Sequence, residues 1–203
     1  MKDFFGSLFC YNQYVKTISY ITSNPYKFKL ARDYFDKHGN KQVSLVQCSL
    51  ETPEIQATTS RDVAAYSAEW ARDKLGQAVI CSDVSFEITA LNGFPGPYIK
   101  YINQWLSPQN ILNLLASHED RSASFTDTLA YAVPGKKTQI FTMETIGTIL
   151  SSEHVDNTKW TIDALFTPKG CNKSLAAMSD EERDNVWDDS IWTELVLYIY
   201  KTI

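Results

Sequence analysis

The feature that most constrains the fold is the alternation of strand-type and helix-type segments in the first 81 residues. A β-branched and aromatic run at 17–22 precedes a helical pattern at 26–37, and a second strand at 43–48 precedes a helix at 60–75. The continuous apolar run at 78–81 is typical of a central strand that is buried on both faces. Strands and helices in this order predict an α/β sheet with flanking helices.

The second half of the chain predicts a long hairpin and several short helices. Two strands are expected at 123–133 and 138–150, joined by a Pro-Gly turn. One short helix is predicted to end at Trp105 and another to span 108–117. A mostly apolar helix is predicted to begin at Ile191.

Length and composition are typical of one globular unit. Of the 203 residues, 44% are apolar and 21% are charged, which are the proportions of a folded globular protein. No repeat or linker divides the chain, so we expect a single domain at 17–203 after an N-terminal extension at 1–16. The four cysteines are far apart and form no C-x-x-C pair, which argues against a zinc site and favours a reducing compartment.

Charge and hydropathy exclude two classes of partner. Acidic residues outnumber basic residues by 24 to 19 and no basic run occurs, so we expect no nucleic-acid binding. No stretch reaches the roughly 18 apolar residues that a membrane span needs, so we expect no membrane partner. The N-terminal segment lacks the apolar core of a signal peptide, and we therefore expect a cytoplasmic protein.

The turn between the first strand and the first helix is a candidate anion site. The chain reads T-S-N-P-Y-K from Thr22 to Lys27, with Asn24 at the N-cap and Pro25 at the first helical position. A helix N-terminus directs free N–H groups and the positive end of the helix dipole towards an anion, and Lys27 adds a positive charge. The alternative is an ordinary capped helix with a surface lysine.

A pair of carboxylates is a candidate cation site. Asp83 is expected just beyond the carboxyl end of the buried strand, where open α/β sheets bind ligands. With a second carboxylate such as Glu54 it would suit a hard cation such as Mg²⁺, whereas the alternative role of Asp83 is to cap a turn.

Segment 92–100 contains two prolines and two glycines, which predicts a rigid turn, and Lys100 at its end favours the wall of a site.

Five short motifs follow one another along the chain. They are T-S-N-P-Y-K at 22–27, P-E-I-Q at 53–56, S-D at 82–83, F-P-G-P-Y-I-K-Y at 94–101 and E-T-I-G-T-I at 144–149. In this order and spacing they resemble the signatures of the Ham1 family of inosine triphosphate pyrophosphatases. Those signatures are T/S-G-N-x-x-K, P-E-x-Q, an acidic pair after a strand, L-P-G-P-Y-I-K-W and E-G-x-x-x-G-x-I. The fourth match is the most specific, and the resemblance covers about residues 17–200.

The resemblance implies a fold, a reaction and a cofactor. The implied fold is an elongated, two-lobed mixed α/β sheet with flanking helices and a central cleft, in a protein that is usually a homodimer. The implied reaction cleaves a nucleoside triphosphate between its α and β phosphates, giving a monophosphate and pyrophosphate. The implied substrates are inosine- and xanthosine-type purine nucleotides, and the implied cofactor is Mg²⁺.

The resemblance also implies roles for individual residues. Glu54 and Asp83 would hold the metal, and Asp83 would orient or deprotonate the attacking water. Trp160 would stack on the base, and Asp163 would contact the edge of the base. The other implied substrate-binding residues are Thr22, Ser23, Asn24, Lys27, Lys100 and Arg183, the last in place of a family lysine.

Several positions depart from the family pattern. Ser23 replaces a glycine, Ser82 replaces one residue of the acidic pair, and a phosphate-binding lysine falls on or beside Tyr66. The base-reading K-N-x-x-S-H-R becomes R-D-N-V-W-D-D at 183–189, with two aspartates in place of His-Arg. Because ionised carboxylates only accept hydrogen bonds, they disfavour a keto group on the base and favour an exocyclic amine. The alternative is that the two aspartates are solvated helix residues and that the base pocket is remodelled in another way.

These departures leave two alternatives to an inosine-type pyrophosphatase. One is a pyrophosphatase with altered base specificity. The other is a diverged nucleotide-binding protein that has kept the fold and lost turnover. The enzyme is the preferred hypothesis because the phosphate-binding residues match the family better than the base-binding residues do.

Overall fold

The computed structural model describes residues 16–39, 42–152, 160–187 and 190–202. Their strands are β1 (Lys16–Ile21), β2 (Val43–Cys48), β3 (Val79–Ile88), β4 (Pro95–Gly96), β5 (Ser122–Ala132), β6 (Gln139–Ile149) and β7 (Phe166–Pro168). They form one seven-stranded sheet in the order β2-β1-β3-β5-β6-β7, with β4 paired to β3. β1 is parallel to β2 and β3, whereas the other pairs are antiparallel, so the sheet is mixed as predicted.

Seven α-helices flank this sheet in the described part of the chain. They are α1 (Pro25–His38), α2 (Ser60–Leu75), α3 (Ile99–Trp105), α4 (Pro108–Leu114), α5 (Thr161–Leu165), α6 (Asp180–Asp184) and α7 (Ser190–Thr202). Short 3₁₀ turns occur at Thr89–Leu91 and Leu175–Ala177.

Local sequence signals explain most of the element boundaries. Asn24 caps α1, and Gly76 ends α2 in the left-handed conformation at φ 65°. The helix predicted at 108–117 is shorter than expected. α4 ends at Leu114 because Leu115, at φ −95° and ψ 3°, has left the helical conformation.

The predicted end of the third strand is wrong. β3 does not end at Ser82-Asp83 but continues to Ile88. Ser82 and Asp83 pair with Leu129 and Thr128 of β5, and this long partner keeps the backbone of β3 extended through its polar residues. Asp83 therefore lies in the middle of a strand and not beyond its end.

Two hydrophobic clusters at opposite ends of the long strands define two lobes. The first lobe packs α1 and α7 around Ile18, Tyr20 and Ile80, and alanines of α2 cover the other face of the sheet at this end. The second lobe packs α3, α4 and α5 around Phe86 and Phe125. Ile80 and Phe86 lie about 20 Å apart along β3 at the usual rise per residue, which gives the molecule its predicted elongated, two-lobed form.

An open edge of β3 separates the two lobes. One edge of β3 pairs with β5 along its whole length. The other edge pairs with β1 at 79–80 and with β4 at 86–87. Among the described residues, segment 81–85 therefore has no strand neighbour on this side. We call this segment, with Asp83 at its centre, the floor of the central cleft that the resemblance implies between the two lobes.

No helix in the described ranges is long and apolar enough to cross a membrane.

Candidate active site

The turn that precedes α1 forms one wall of the central cleft. Asn24 adopts an extended conformation (φ −84°, ψ 111°), and its Oδ1 accepts hydrogen bonds from the backbone N–H groups of Tyr26 at 2.9 Å and Lys27 at 3.4 Å. The backbone N–H of Asn24 donates to Thr22 Oγ1 at 3.1 Å. The turn is thus held by its own polar side chains while the N-terminus of a 14-residue helix stays exposed, as an anion site requires.

Ser23 is compatible with this turn. Among the described residues other than glycine, only Asn92 has a positive φ, so the position that Ser23 occupies does not require a glycine. The turn is also tied to β2, because the N–H of Thr22 donates to the Cys48 carbonyl at 3.0 Å and Gln47 Nε2 donates to the Thr22 carbonyl at 3.1 Å. Replacement of the family glycine by Ser23 therefore leaves the shape of the turn intact.

Asp83 is the partly buried carboxylate on the cleft floor. Burial raises its pKa to about 6, although the positive charge of Lys27 and a backbone hydrogen bond from Val84 act in the opposite direction. The negative charge of Glu54 raises the pKa of Asp83 further. Asp83 Oδ2 is shielded from solvent and has no hydrogen-bond partner in the part of the chain that the structure describes.

Glu54 lies on the loop between β2 and α2, and it reaches across the cleft to α3. Tyr101 Oη donates a 2.7 Å hydrogen bond to Glu54 Oε2, and Lys100 Nζ lies 3.5 Å from Oε1. The hydrogen bond from Tyr101, with a further contribution from the charge of Lys100, lowers the pKa of Glu54. Glu54 is therefore an ionised carboxylate that is held between the two walls.

Glu54 and Asp83 fit a Mg²⁺ ion in number and chemistry. An orphaned buried oxygen such as Asp83 Oδ2 is a group that a bound cation would satisfy, and Mg²⁺ commonly uses one or two carboxylates together with water and substrate phosphates. No cluster of three or more His, Cys, Asp or Glu residues is present in the described ranges. Ser82, in the position of the second family acid, instead shares a 2.8 Å hydrogen bond with Tyr20.

The residues predicted to bind the base lie in the second lobe. Trp160 precedes α5 and keeps 40% of its surface exposed. Burial raises the pKa of Asp163, and Arg183, whose Nη2 lies 3.6 Å from Asp163 Oδ2, partly offsets this shift. Two nitrogens of Arg183 also donate to the Leu175 carbonyl, at 2.7 and 3.2 Å.

The structure brings some of the predicted residues together and keeps others apart. The turn from Thr22 to Lys27 and the side chains of Glu54, Asp83 and Lys100 meet around the cleft floor. The Asp163–Arg183 pair is joined to this group indirectly, because the N–H of Ile162 on α5 donates to Asn103 Oδ1 on α3. The phosphate and base regions of the predicted site are thus connected through α3.

Comparison with known proteins decides the family. A model of the Ham1 family matches residues 18–187. The chain belongs to the Ham1 family. The dITP/XTP pyrophosphatase of Methanopyrus kandleri is 32% identical over 166 residues, which cover 82% of this chain and 86% of that protein. The inosine triphosphate pyrophosphatase of Scheffersomyces stipitis is 30% identical over 180 residues, which cover 85% of this chain and 91% of that protein.

Solved structures confirm the Ham1 fold. The Staphylococcus aureus Ham1 protein superposes with a TM-score of 0.75 at 22% identity, covering 92% of this chain and 98% of that one. A HAM1 protein from Coxiella burnetii superposes with a TM-score of 0.76 at 18% identity, covering 93% and 100% of the two chains.

One departure from the Ham1 pattern at the base end is visible. Trp187, in the place of the serine of the family's S-H-R, packs edge-on against Phe125 with 5.4 Å between the ring centroids. The tryptophan thereby extends the hydrophobic cluster of the second lobe. Asp188 and Asp189, the proposed acceptors for an exocyclic amine, lie outside the described residues.

Two contact residues of this Ham1 site were not identified from the sequence. Tyr101 ends the F-P-G-P-Y-I-K-Y motif, where the family has tryptophan, and this difference was the available signal for its hydroxyl contact with Glu54. Gln47 holds the Thr22 carbonyl from the neighbouring strand. No local pattern marks Gln47, because its role depends on the pairing of β1 with β2.

Proposed function

We propose that this protein is a Mg²⁺-dependent pyrophosphatase that converts nucleoside triphosphates, of inosine or xanthosine type, to monophosphates and pyrophosphate. The observation that carries the proposal is Asp83, whose Oδ2 is buried on the cleft floor without a partner among the described residues, and whose carboxyl is influenced by the charges of Lys27 and Glu54. The names of the relatives, dITP/XTP pyrophosphatase and inosine triphosphate pyrophosphatase, support the same activity.

The triphosphate would lie between the two walls of the cleft. The exposed N-terminus of α1 and Lys27 bind phosphate oxygens from the first lobe, with Thr22, Ser23 and Asn24 shaping the turn. Lys100 approaches from the second lobe, where its ammonium now lies near Glu54. A triphosphate is a stronger partner for an exposed lysine than a single carboxylate is, so Lys100 turns towards the phosphates when substrate binds.

Asp83 is the group that handles the proton. A carboxylate with a pKa of about 6 is mostly ionised at pH 7 and is more basic than an ordinary aspartate. Asp83 takes a proton from the water whose oxygen attacks the α-phosphorus, and the bond from that phosphorus to the α–β bridging oxygen breaks. Glu54 and Asp83 would hold a Mg²⁺ ion, which would supply charge neutralisation at the phosphates.

The base would be bound in the second lobe. The exposed ring of Trp160 stacks on the base, and Asp163 contacts its edge. Arg183 neutralises Asp163 and was predicted to act in place of a family lysine. Its two hydrogen bonds to the Leu175 carbonyl fix the guanidinium plane beside Asp163, so that Arg183 serves the base end of the site.

Two observations favour a second candidate, a nucleotide-binding protein without turnover. Ser82 is engaged with Tyr20 where the family pattern has an acid. Tyr66, at or beside the position of a family lysine, is 40% exposed on α2. A site with one fewer carboxylate and one fewer lysine can still bind the nucleotide, but it has fewer charged groups to stabilise the transition state of the hydrolysis.

Pyrophosphate release with Mg²⁺ tests the proposal. The substrates would be ITP, dITP, XTP, the four standard nucleoside triphosphates and modified bases, and the controls would be Asp83→Asn and the unrelated surface variant Lys201→Ala. We expect release from ITP, dITP or XTP that falls by at least about 100-fold in Asp83→Asn and is unchanged in Lys201→Ala. Activity on another base alone indicates altered specificity. Binding without release from any substrate favours the non-catalytic protein.

The same proposal includes a homodimer, a cytoplasmic location and a division into an extension at 1–16 and a catalytic unit at 17–203. Light scattering coupled to size-exclusion chromatography distinguishes a dimer from a 23.1 kDa monomer. Deletion of residues 1–15, which precede β1, tests the division. The shortened chain is expected to keep the pyrophosphatase activity.

A further inference from the structure

The contact between Tyr101 and Glu54 joins two segments that are distant in sequence. Glu54 belongs to the loop between β2 and α2, and Tyr101 belongs to α3. Their 2.7 Å hydrogen bond is short and involves an ionised acceptor, which makes it stronger than a contact between neutral groups. The side chain of Glu54 is 68% exposed. An exposed glutamate is held in one conformation only if specific partners fix it.

The two partners of Glu54 in the described part of the chain differ in kind. Lys100 carries a positive charge, is 63% exposed and lies 3.5 Å from Oε1. Tyr101 is a neutral donor to Oε2. A positive group competes with a cation for the same carboxylate, whereas a neutral hydroxyl fixes one oxygen and leaves the charge of the other available.

Tyr101 is itself held in place by its surroundings. Its ring lies against Trp105, one helical turn further along α3, with 5.2 Å between the ring centroids. The start of α3 is fixed by the turn before it, where the N–H of Tyr98 donates to the Pro95 carbonyl and Pro95 belongs to β4. The phenol is therefore directed at Glu54 by an element that is anchored in the sheet.

We propose that Tyr101 is a positioning residue for Glu54. Its hydroxyl holds Oε2 so that Oε1 is presented to the divalent cation, which displaces the exposed Lys100 ammonium from Oε1. This inference rests on the proposed function in that it assigns Glu54 to the metal. It adds a residue that had no predicted role and assigns different roles to two adjacent side chains on α3.

Metal binding alone provides the first test. Free Mn²⁺, followed by electron paramagnetic resonance, is titrated with the wild type, Tyr101→Phe and Tyr198→Phe. The last variant removes a tyrosine hydroxyl from α7 in the first lobe, away from the cleft. We expect the Mn²⁺ dissociation constant to rise by at least about 10-fold in Tyr101→Phe, which is the usual effect of one hydrogen bond to a charged group, and to stay unchanged in Tyr198→Phe.

Kinetics and a double-mutant cycle provide the second test. In Tyr101→Phe, the Mg²⁺ concentration for half-maximal pyrophosphate release rises by a similar factor, while kcat at saturating Mg²⁺ changes less than about 2-fold. In a Glu54→Gln background, Tyr101→Phe has no further effect on Mn²⁺ affinity, because the carboxylate that it positions has gone.

The proposal is overturned by three results. The first is an unchanged Mn²⁺ affinity in Tyr101→Phe. The second is that Tyr101→Phe lowers the Mn²⁺ affinity of the Glu54→Gln variant as much as it lowers that of the wild type. The third is a wild type that binds no Mn²⁺. A wild type that binds Mn²⁺ with Tyr101-dependent affinity but releases no pyrophosphate refutes the proposed function and keeps the positioning role.

Discussion

Asp83 shows how a single residue can be unfavourable for folding and useful for chemistry. A strand centre normally holds an apolar side chain, yet this position carries a carboxylate whose pKa is raised to about 6 by burial. Lys27 and the Val84 amide offset only part of the unfavourable burial of the ionised carboxylate. Oδ2 has no hydrogen-bond partner among the described residues. A residue in this situation binds a proton or a cation more readily than an exposed aspartate does.

The first prediction concerns the stability of Asp83→Asn in EDTA. A folded-state pKa above the usual 3.8 means that protonated Asp83 stabilises the fold at low pH, and that this contribution is lost as the pH rises through about 6. Asp83→Asn should therefore be more stable than the wild type at pH 8, by on the order of 1–3 kcal/mol, and should differ little from it at pH 4. Thermal unfolding at both pH values measures the difference. If Asp83→Asn were more stable than the wild type by the same amount at both pH values, the raised pKa of Asp83 would be contradicted.

At the scale of elements, the N-terminus of α1 combines a structural and a binding role. Asn24 stabilises the helix as its N-cap, and the same turn places the positive end of the helix dipole and Lys27 where an anion can bind. These roles can be separated because aspartate caps a helix as well as asparagine does, but carries a negative charge.

The second prediction compares two substitutions of Asn24. Asn24→Ala should lower the free energy of unfolding by about 1 kcal/mol, whereas Asn24→Asp should leave it nearly unchanged. Asn24→Asp should nevertheless raise KM for the nucleotide by about 10-fold or more, because it brings a negative charge to the phosphate site. Chemical denaturation and steady-state kinetics measure the two effects. A stable Asn24→Asp variant with wild-type KM would remove this turn from the binding site.

β6 and β7 approach each other closely at Gly147. A Cβ at this position would lie 2.6 Å from the Phe166 ring and would also meet the Thr167 carbonyl oxygen. Phe166 is fully buried and contacts the rings of Phe86 and Phe125, so it has little room to move. The motif glycine on β6 is therefore required for packing in the second lobe.

The third prediction is that Gly147→Ala destabilises the fold by roughly 2–3 kcal/mol, as expected for an overpacked core. Thr148→Ala, which changes the exposed neighbour on the same strand, should cost less than about 1 kcal/mol. Urea denaturation of both variants measures these effects. Equal stabilities of the two variants would show that the contact with Phe166 is relieved by movement of the chain.

At the scale of the whole molecule, the core and the active site use different residues. The three hydrophobic clusters contain neither Glu54 nor Asp83, and the two carboxylates lie where the edge of β3 is open. The fold therefore supplies a rigid floor and two walls without relying on a bound cation.

The fourth prediction follows from this separation. Removal of divalent cations with EDTA should abolish pyrophosphate release and leave the circular dichroism spectrum and cooperative unfolding intact. Addition of Mg²⁺ should restore turnover fully. Unfolding in EDTA would show that the cation is also structural, and turnover in EDTA would refute a metal-assisted reaction.

Local sequence patterns were sufficient to predict most of the helices and strands. The N-cap at Asn24 and the left-handed Gly76 fixed the limits of α1 and α2, because capping depends on a few neighbouring residues. The order of the five motifs was sufficient to predict the family and the fold, and both predictions are confirmed. The place of Asp83 within its strand was not predictable from local sequence, since β3 continues through polar residues only because β5 pairs with them.

The sequence by itself determined most of the elements, the family and the types of residue expected in the site. Only the tertiary structure decided that the open edge of β3 is the cleft floor, that Asp83 lies buried beside Lys27 and Glu54, and that Tyr101 reaches Glu54 from the opposite wall. The physical reason is the distance along the sequence over which each kind of interaction acts. Capping and periodicity act over a few residues, whereas burial, pKa shifts and contacts across the cleft arise between segments that are distant in sequence and meet only in the folded chain.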